Sequence, residues 1–525
     1  MKQKRGIIAE DLYELKSVGG VELTPDGSHY AYVQTQIDRE KHEYMSHVFV
    51  GDVKGGEQVQ WTFGNARDTS PKWSPDGSCL AFVSNRTGQS QLYIINANGG
   101  EAKQITFCKN GARNPIWSPD SSSILFATYI EINEDVIDVD KKQQQLAIIN
   151  IETLAITQII EGQHDYTPGC WSPDGSQIVF SADLTDELDF QLVADVYIMD
   201  LTDKKMKKLT NSNGYFGNTT WSPDGHYIAM IGHEKEYDSA TLSRIWVYDV
   251  KNEHLSCLTT YWDVEIGDVA IGDFHSGNSN PGIVWTEDSH GFYFIMSDHG
   301  NTGVYYGTLE GEMYPSLLEN QHVYCLSVDS KNHKAIVGIS TPTHPGDLYS
   351  IDLSTGELKQ LTYVNDDNLL NIELSAAEPF TCKAPDGWDI HGWVMKPIGF
   401  EEGKQYPTII EVHGGTQVMF ANSYFHEFQV LAAKGFAVVY TNPRGSFGYG
   451  QEFIQAALGD NGRKDYLDVM AATKYVEGNF CFVEKHTARY VHFLDANHEL
   501  SKGGNPKLRI DRLNHIKDWF VEYLG

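Results

Sequence analysis

Three short motifs in the last third of this 525-residue chain carry residue types suited to acyl-transfer chemistry. His413-Gly414-Gly415 follows one apolar run, Asn442-Pro443-Arg444-Gly445 follows a second, and Asn497-His498-Glu499-Leu500 stands near the end. A histidine can remove a proton from a hydroxyl, and a Gly-Gly turn after a strand lets backbone amides converge on a carbonyl oxygen. The motifs therefore predict a base and an oxyanion turn that would serve a nucleophile.

The motif that is expected to carry the nucleophile is absent. A serine of this chemistry sits in Gly-x-Ser-x-Gly, on a sharp turn between a strand and a helix. That pentapeptide occurs nowhere in the chain. Ser446 lies beside the predicted pocket, but nothing around it resembles such a turn. Asp495 and Cys481 are interpreted as a loop carboxylate and a small buried apolar residue, so we assign no nucleophile.

Composition excludes several classes of partner. The formal charge of -31 is spread without a basic stripe, so we expect neither nucleic acid nor an anionic membrane surface to bind. Seven scattered cysteines show no metal or redox spacing, and no apolar run is long enough for a membrane span. We therefore expect a cytoplasmic protein that carries no cofactor and no metal.

A repeat fills the first two thirds of the chain. Trp73-Ser-Pro-Asp-Gly77 returns almost unchanged at 117, 171 and 221, with weaker copies at 23, 285 and 326. Pro-Asp-Gly favours a tight turn, and each copy leads into a short apolar strand. The spacing matches the roughly 40 to 50 residues of a four-stranded propeller blade. Seven copies predict seven blades, with the tryptophans as packing anchors rather than ligand contacts.

The pattern changes near residue 370. A hairpin is expected around Ala384-Pro-Asp-Gly387, and beyond it apolar strands at 408–412 and 436–440 alternate with helical stretches at 425–434 and 465–476. Alternating strands and helices indicate an α/β sheet. The fold prediction is thus β plus α/β: a seven-bladed β-propeller over 1–370, followed by a shortened α/β-hydrolase domain over 371–525.

Together these motifs resemble the prolyl oligopeptidase family of serine peptidases, and within it the acylaminoacyl-peptidase-like bacterial branch. The resemblance implies that His498 is the general base, that Gly414 and Gly415 form the oxyanion turn, and that His413, Arg444 and Tyr449 contact substrate. It also implies short or N-acylated peptides as partners, with the propeller restricting access to the site.

The resemblance also locates what is absent. In the family's order, the nucleophile strand and the triad aspartate belong between the 465–476 helix and His498, where the chain is short. We expect little or no hydrolysis, and the alternative is a non-enzymatic propeller that binds peptides as a scaffold. A third hypothesis is that the chain keeps activity through an unorthodox serine. We also expect residues 489–494 to form a strand beside 408–412, and any exposed sheet edge to permit oligomerisation.

Overall fold

The computed structural model describes residues 4–131, 142–160, 162, 164–185, 193–211, 214–274, 281–317, 320–414, 417–477, 491–494 and 496–524. Seven antiparallel sheets follow one another along the chain, and each is one blade. Blade 6 has five strands because two short segments pair with the same strand; the other blades have four. The predicted seven-bladed propeller is confirmed.

The blade strands occupy the following ranges. Blade 1 contains Ser17–Leu23, His29–Asp38, Glu43–Asp52 and Val59–Gln60; blade 2 Asp68–Trp73, Cys79–Ser84, Gln91–Asn96 and Lys103–Gln104; blade 3 Ala112–Trp117, Ser123–Glu131, Lys142–Asn150 and Ile156–Gln158; blade 4 Tyr166–Trp171, Gln177–Ala182, Asp195–Asp200 and Met206–Lys208. Blade 5 contains Tyr215–Trp221, Tyr227–His233, Arg244–Asp249 and His254–Cys257; blade 6 Glu265–Ile266, Val284–Trp285, Gly291–Asp298, Asn301–Thr308 and Met313–Leu317; blade 7 His322–Asp329, Lys334–Thr341, His344–Asp352 and Leu358–Gln360.

The repeated motif forms the turn between the first two strands of a blade. In blade 2, Ser74 Oγ donates to Asp76 Oδ1 at 2.6 Å, and the amide of Ser78 donates to the same oxygen at 3.0 Å. Gly77 takes φ +70, a conformation that favours glycine because it has no side chain. These bonds lower the pKa of Asp76, with the Ser74 hydroxyl as the largest cause. The turn is therefore fixed locally by the sequence motif.

The motif tryptophans join neighbouring blades. Trp117 Nε1 donates to the carbonyl oxygen of Lys72 in the preceding blade at 2.9 Å, and Trp171 Nε1 does the same to Ile116 at 3.1 Å. Both side chains are buried, as expected of packing anchors. The ring closes where the amide of Leu23 in blade 1 donates to Ser327 Oγ of blade 7 at 3.0 Å.

The C-terminal domain is built on a mixed four-stranded sheet. Its strands, in spatial order, are Ala377–Lys383, Asp389–Met395, Ala437–Asn442 and Thr408–Glu411. The first three are antiparallel neighbours, and the last two run parallel. The α-helices of the described chain are Asp366–Leu369, His426–Ala433, Gln451–Gln455, Lys464–Glu477 and Pro506–Leu524, with 3-10 turns at Ala9–Tyr13 and Asp238–Ala240.

The strand expected over 489–494 is wrong for residues 491–494, which the structure describes as coil and turn. Residues 489–490 lie outside the described residues. Within the described sheet, Thr408–Glu411 pairs with the Ala437–Asn442 strand alone and forms an edge. No helix in the described part of the chain combines the length and the apolar character that crossing a membrane would require.

Contacts distant in sequence hold the two halves together. Arg5–Gly6 pairs in parallel with Ile372–Glu373, and Ala270–Ile271 of the propeller half pairs in parallel with Met419–Phe420. The C-terminal helix packs on the N-terminal 3-10 turn, where Asn514 Nδ2 donates to Glu10 Oε1 at 2.9 Å. The predicted site residues therefore sit on a domain fixed directly to the propeller.

Candidate active site

His413 lies just beyond the edge strand Thr408–Glu411 and is half-buried. Its ring packs edge-on against Phe420, with centroids 5.1 Å apart, and its Nε2 lies 3.0 Å from Ser446 Oγ. Gly414 is exposed beside it. Gly415, the other residue of the predicted oxyanion turn, lies outside the described residues. The oxyanion role of this turn stays a prediction.

Ser446 makes a serine–histidine contact without the geometry of a nucleophile. Its side chain is fully buried, and its Oγ donates to the carbonyl oxygen of Pro443 at 2.7 Å. That bond takes the hydroxyl proton, so the Nε2 of His413 acts as the donor to Ser446 Oγ. The hydroxyl closes the turn after Asn442 and is not presented to a substrate carbonyl.

Arg444 is enclosed by carboxylates. Its Nε and Nη2 donate to the two oxygens of Asp468 at 2.9 and 2.6 Å, and its Nη1 donates to Asp386 at 2.5 Å. The side chain is 1% exposed and stacks over Trp388. These contacts raise the pKa of the guanidinium, with the Asp468 hydrogen bond as the largest cause. The hydrogen bonds of the guanidinium stabilise the fold. The substrate contact predicted for Arg444 stays a prediction.

Tyr449 is the centre of a polar network between the two halves of the protein. Its hydroxyl lies 2.8 Å from His391 Nδ1 and accepts from Asn442 Nδ2 at 2.9 Å. The ring of His299, from blade 6, packs edge-on at 4.9 Å. Burial lowers the pKa of His391 to about 4, and it raises that of Tyr449. Both groups are therefore neutral near pH 7, and the site has a neutral hydrogen-bonding wall.

Sequence reasoning missed His391 and His299. His391 stands in the strand after the Ala384-Pro-Asp-Gly387 turn, and a histidine inside an apolar strand is the only local signal. His299 lies in the turn after Gly291–Asp298, where its Nδ1 contacts Asp298 at 2.5 Å and its pKa is raised by that hydrogen bond. Nothing in the sequence connects these two positions, since only the fold brings them together.

His498, the predicted base, is exposed in a loop of turns that runs from 498 to 503. The loop is held by backbone bonds such as Lys502 N–H to Glu499 O at 3.0 Å, and by the buried Leu500. In the described chain, no hydrogen bond or ion pair links His498 to His413, Ser446 or Tyr449. The structure thus leaves the base outside the side-chain network of the other motif residues, and Asp495 and Cys481 lie outside the described residues.

A carboxylate cluster lies behind the edge strand. Burial raises the pKa of Glu411 to about 8, and nearby Glu427 adds to the shift. Burial also raises the pKa of Glu427, although Arg512 Nη1 donates to it at 2.8 Å. Asp273 accepts the amides of His426 and Glu427 at 2.8 Å each and so caps the His426–Ala433 helix. The cluster connects the edge strand Thr408–Glu411, the His426–Ala433 helix and the C-terminal helix.

One group of side chains in the described residues has metal-ligand spacing. Ligand atoms of His344, Asp347 and Asp366 all lie within 4.8 Å of one another. Asp347, however, is fully buried and accepts from Thr362 Oγ1 at 2.6 Å and from the amide of Val364 at 3.2 Å. The Asp347 carboxylate is therefore occupied by hydrogen bonds within blade 7. The expected absence of a metal stays a prediction.

Each half of the chain matches a known protein family. Residues 17–147 match the model of the TolB beta propeller domain, and residues 422–488 match that of the prolyl oligopeptidase family. A Bacillus subtilis protein named uncharacterized peptidase YuxL is 41% identical over 496 residues, which cover 89% of this chain and 75% of the relative. Dipeptidyl-peptidase 5 of Porphyromonas gingivalis is 27% identical over 513 residues, covering 89% of this chain and 72% of the relative.

Solved structures show the same architecture. An acylaminoacyl peptidase in complex with Z-Gly-Gly-Phe-chloromethyl ketone superposes with a TM-score of 0.74 at 23% identity, covering 89% of this chain and 72% of the other. The acylaminoacyl peptidase of Pyrococcus horikoshii gives a TM-score of 0.73 at 22% identity, covering 90% and 72%. These likenesses confirm the fold, a propeller followed by an α/β-hydrolase domain.

Proposed function

Because this chain belongs to the prolyl oligopeptidase family of serine peptidases, we propose that it binds short or N-acylated peptides and hydrolyses them little or not at all. The observation that carries the proposal is the missing nucleophile. No Gly-x-Ser-x-Gly occurs in the sequence, and the described hydroxyl next to His413, that of Ser446, is buried and donates to a backbone carbonyl. A base without an attacking oxygen cannot form an acyl-enzyme.

The order of the motifs in the sequence supports an internal shortening. The match ends at residue 488, before the Asn497-His498 motif that resembles the family's histidine loop. In the family's order, the nucleophile and the triad aspartate belong between the 465–476 helix and His498, where the chain is short. His498 is exposed and lacks a described carboxylate partner. A histidine that is neither oriented nor paired with a hydroxyl has no route to general-base catalysis.

The class of ligand is taken from the relatives. The names of the similar proteins specify acylaminoacyl peptidase and dipeptidyl-peptidase activities. Both names refer to peptide substrates, so a short peptide is the ligand class proposed for this chain. A cytoplasmic location is proposed with it, supported by the scattered and odd number of cysteines.

The second candidate is a non-enzymatic scaffold in which the propeller itself binds the peptide. It is favoured by a cavity of about 900 Å³ that is lined by residues of the inner strands, among them Lys72, Asn218 and Glu265. Burial raises the pKa of Glu265 to about 8, so this lining carboxyl group is largely neutral near pH 7. A complete ring of blades keeps such a cavity whether or not the hydrolase half is active.

A paired assay tests the proposal. Purified protein is incubated with fluorogenic N-acyl dipeptides and tripeptides, and peptide binding is measured separately by calorimetry. We expect binding without turnover. The control variant is His498→Ala: turnover in the wild type that disappears in this variant would overturn the proposal. Turnover that persists in His498→Ala points to a contaminating peptidase or to an unorthodox serine of this chain, and a fluorophosphonate label on the purified protein distinguishes the two.

A further inference from the structure

A cavity of about 440 Å³ lies between blades 1 and 2 and the start of the C-terminal helix. Its walls come from blades 1 and 2, from Tyr324 of blade 7, from the 3-10 turn Ala9–Tyr13, and from Lys502 and Gly503 in the loop that carries His498. The volume falls in the usual range for small-molecule sites, about 300 to 1,000 Å³. The cavity therefore has the size of a ligand site and borders the loop of the predicted base.

The charge of this cavity is opposite to that of the chain. Three cationic side chains line it, those of Arg67, Lys502 and Arg509, and no carboxylate does so among its described lining residues. The chain as a whole carries a formal charge of -31. A concentrated positive lining in so acidic a protein favours an anionic ligand, because the low-dielectric walls strengthen the attraction.

Tyr44 contacts both arginines. Arg509 Nη1 donates to the Tyr44 hydroxyl at 2.6 Å, and the guanidinium of Arg67 stacks over the same ring at 5.7 Å. Arg509 is only 5% exposed, and its Nη2 donates to the backbone carbonyl of Asp273. The carboxylate of Asp273 accepts helix amides and does not line the cavity. N–H groups of both guanidinium groups remain for an anion.

Lys502, the third cationic residue, also lies near a carboxylate. Lys502 Nζ lies 3.8 Å from a Glu499 carboxylate oxygen, and both side chains are partly exposed. In the described chain, Arg67 has no such ion pair. We therefore assign the principal charge contact to the two arginines. A guanidinium pair suits a carboxylate, which it can bind through two parallel N–H donors.

The rest of the lining combines apolar and polar side chains. Leu12, Leu15, Val18, Val33, Ile37 and Phe274 form the apolar part, and Thr35, Gln36 and Thr69 offer hydrogen-bonding groups. An inorganic anion would leave the apolar wall unused, since burying apolar surface is what stabilises a ligand there. A carboxylate attached to a short apolar chain with amide groups uses all three parts of the lining.

We propose that this cavity binds the C-terminal carboxylate of a short apolar peptide, held by Arg67 and Arg509. The inference rests on the proposed function, since it names the end of the peptide that the protein recognises. The bound peptide lies against the loop that carries His498.

Calorimetry with three ligands tests this. The probes are N-acetyl-Leu-Leu with a free carboxylate, the same compound as its C-terminal amide, and octanoate. We expect the free acid to bind and the amide to bind at least about tenfold more weakly, because hydrogen bonds to a charged group are worth roughly 1.5 to 3 kcal/mol. Octanoate, which lacks amide groups, is expected to bind more weakly than the peptide acid.

A matched pair of variants locates the site. Arg67→Gln should weaken the peptide acid by about tenfold or more and remove the preference over the amide. The control is Arg113→Gln, because Arg113 is also exposed and stacks over a tyrosine, Tyr129, at 5.0 Å but lies outside the cavity. Lys502→Gln provides a second, surface variant. Arg509 is left intact because its bonds support the fold.

The outcomes separate this inference from the proposed function. Equal binding of acid and amide would overturn the carboxylate inference while peptide binding itself stands. Binding of octanoate alone, or of none of the probes, would overturn both. An equal loss of affinity in Arg67→Gln and Arg113→Gln would show that the peptide acid binds elsewhere.

Discussion

Arg444 and Asp468 form a two-point ion pair inside the C-terminal domain, with N···O distances of 2.9 and 2.6 Å and side chains that are 1% and 0% exposed. The backbone amide of Arg444 donates to the same carboxylate at 2.9 Å. The pair joins the turn after the Ala437–Asn442 strand to the Lys464–Glu477 helix. It explains why a motif arginine next to the predicted pocket is buried.

Removing one partner of this pair should be costly. Asp468→Asn leaves the buried guanidinium with the partly exposed Asp386 as its one remaining carboxylate partner, and we expect the free energy of unfolding to fall by about 3 kcal/mol in urea titrations. The control is Asp389→Asn, which breaks an exposed pair with Lys383 at 2.7 Å and should cost less than about 1 kcal/mol. Similar losses in the two variants would contradict the structural role of the buried pair.

Ser446→Ala tests the hydroxyl that faces His413. The variant removes the donor to Pro443 O and the acceptor for His413 Nε2, so we expect a loss of about 1 to 2 kcal/mol in unfolding free energy. Ser501→Ala, in a partly exposed loop, should change stability by less than about 0.5 kcal/mol. A Ser446→Ala protein of unchanged stability would show that the turn does not depend on this bond.

The raised pKa of Glu411 makes stability depend on pH. A carboxyl group whose pKa is about 8 in the fold and near 4.5 when unfolded favours the fold in its protonated form. That contribution is complete below the unfolded pKa and is lost as the pH rises through about 8. Glu411→Gln should therefore be more stable than the wild type by roughly 1 to 2 kcal/mol at about pH 9, and close to it at about pH 4.

Unfolding titrations at both pH values measure this effect. Glu378→Gln is the matched control, because Glu378 pairs with Lys396 at an exposed position of the same sheet. It should shift the unfolding free energy by less than about 1 kcal/mol at either pH value. A Glu411→Gln variant with the wild-type pH dependence would show that another group of the cluster carries the titration.

Two motif tryptophans, one with and one without an inter-blade hydrogen bond, show how much that bond stabilises the fold. Trp117 and Trp73 are equally buried, but Trp117 Nε1 donates to Lys72 O whereas Trp73 Nε1 has no described partner. Trp117→Phe should thus lose about 1 kcal/mol more than Trp73→Phe in thermal or urea unfolding. If the two variants lost the same stability, the indole bond would not contribute to blade docking.

The sequence predicted the blades because their information is local. Each Trp-Ser-Pro-Asp-Gly turn is closed by its own serine, aspartate and glycine, as Ser74, Asp76 and Gly77 show. The strands expected at 408–412 and 436–440 and the helices expected at 425–434 and 465–476 also lie close to their observed bounds, since their periodicity is local too.

The contacts that define the candidate site could not be predicted in this way. Tyr449 meets His391 and His299 only because three distant segments converge, and the cavity cations Arg67 and Arg509 are separated by most of the chain. The strand expected over 489–494 failed at 491–494 because an apolar run alone does not fix a strand; it needs a neighbouring strand to pair with.

Covalent labelling tests the central claim most directly. Purified protein is incubated with a fluorophosphonate probe, and intact mass and peptide mapping are recorded against a heat-unfolded sample. The account predicts no adduct on any serine, because the proposed function assigns no activated hydroxyl to this chain. A stoichiometric adduct on one serine of the folded protein, absent from the unfolded sample, would contradict it.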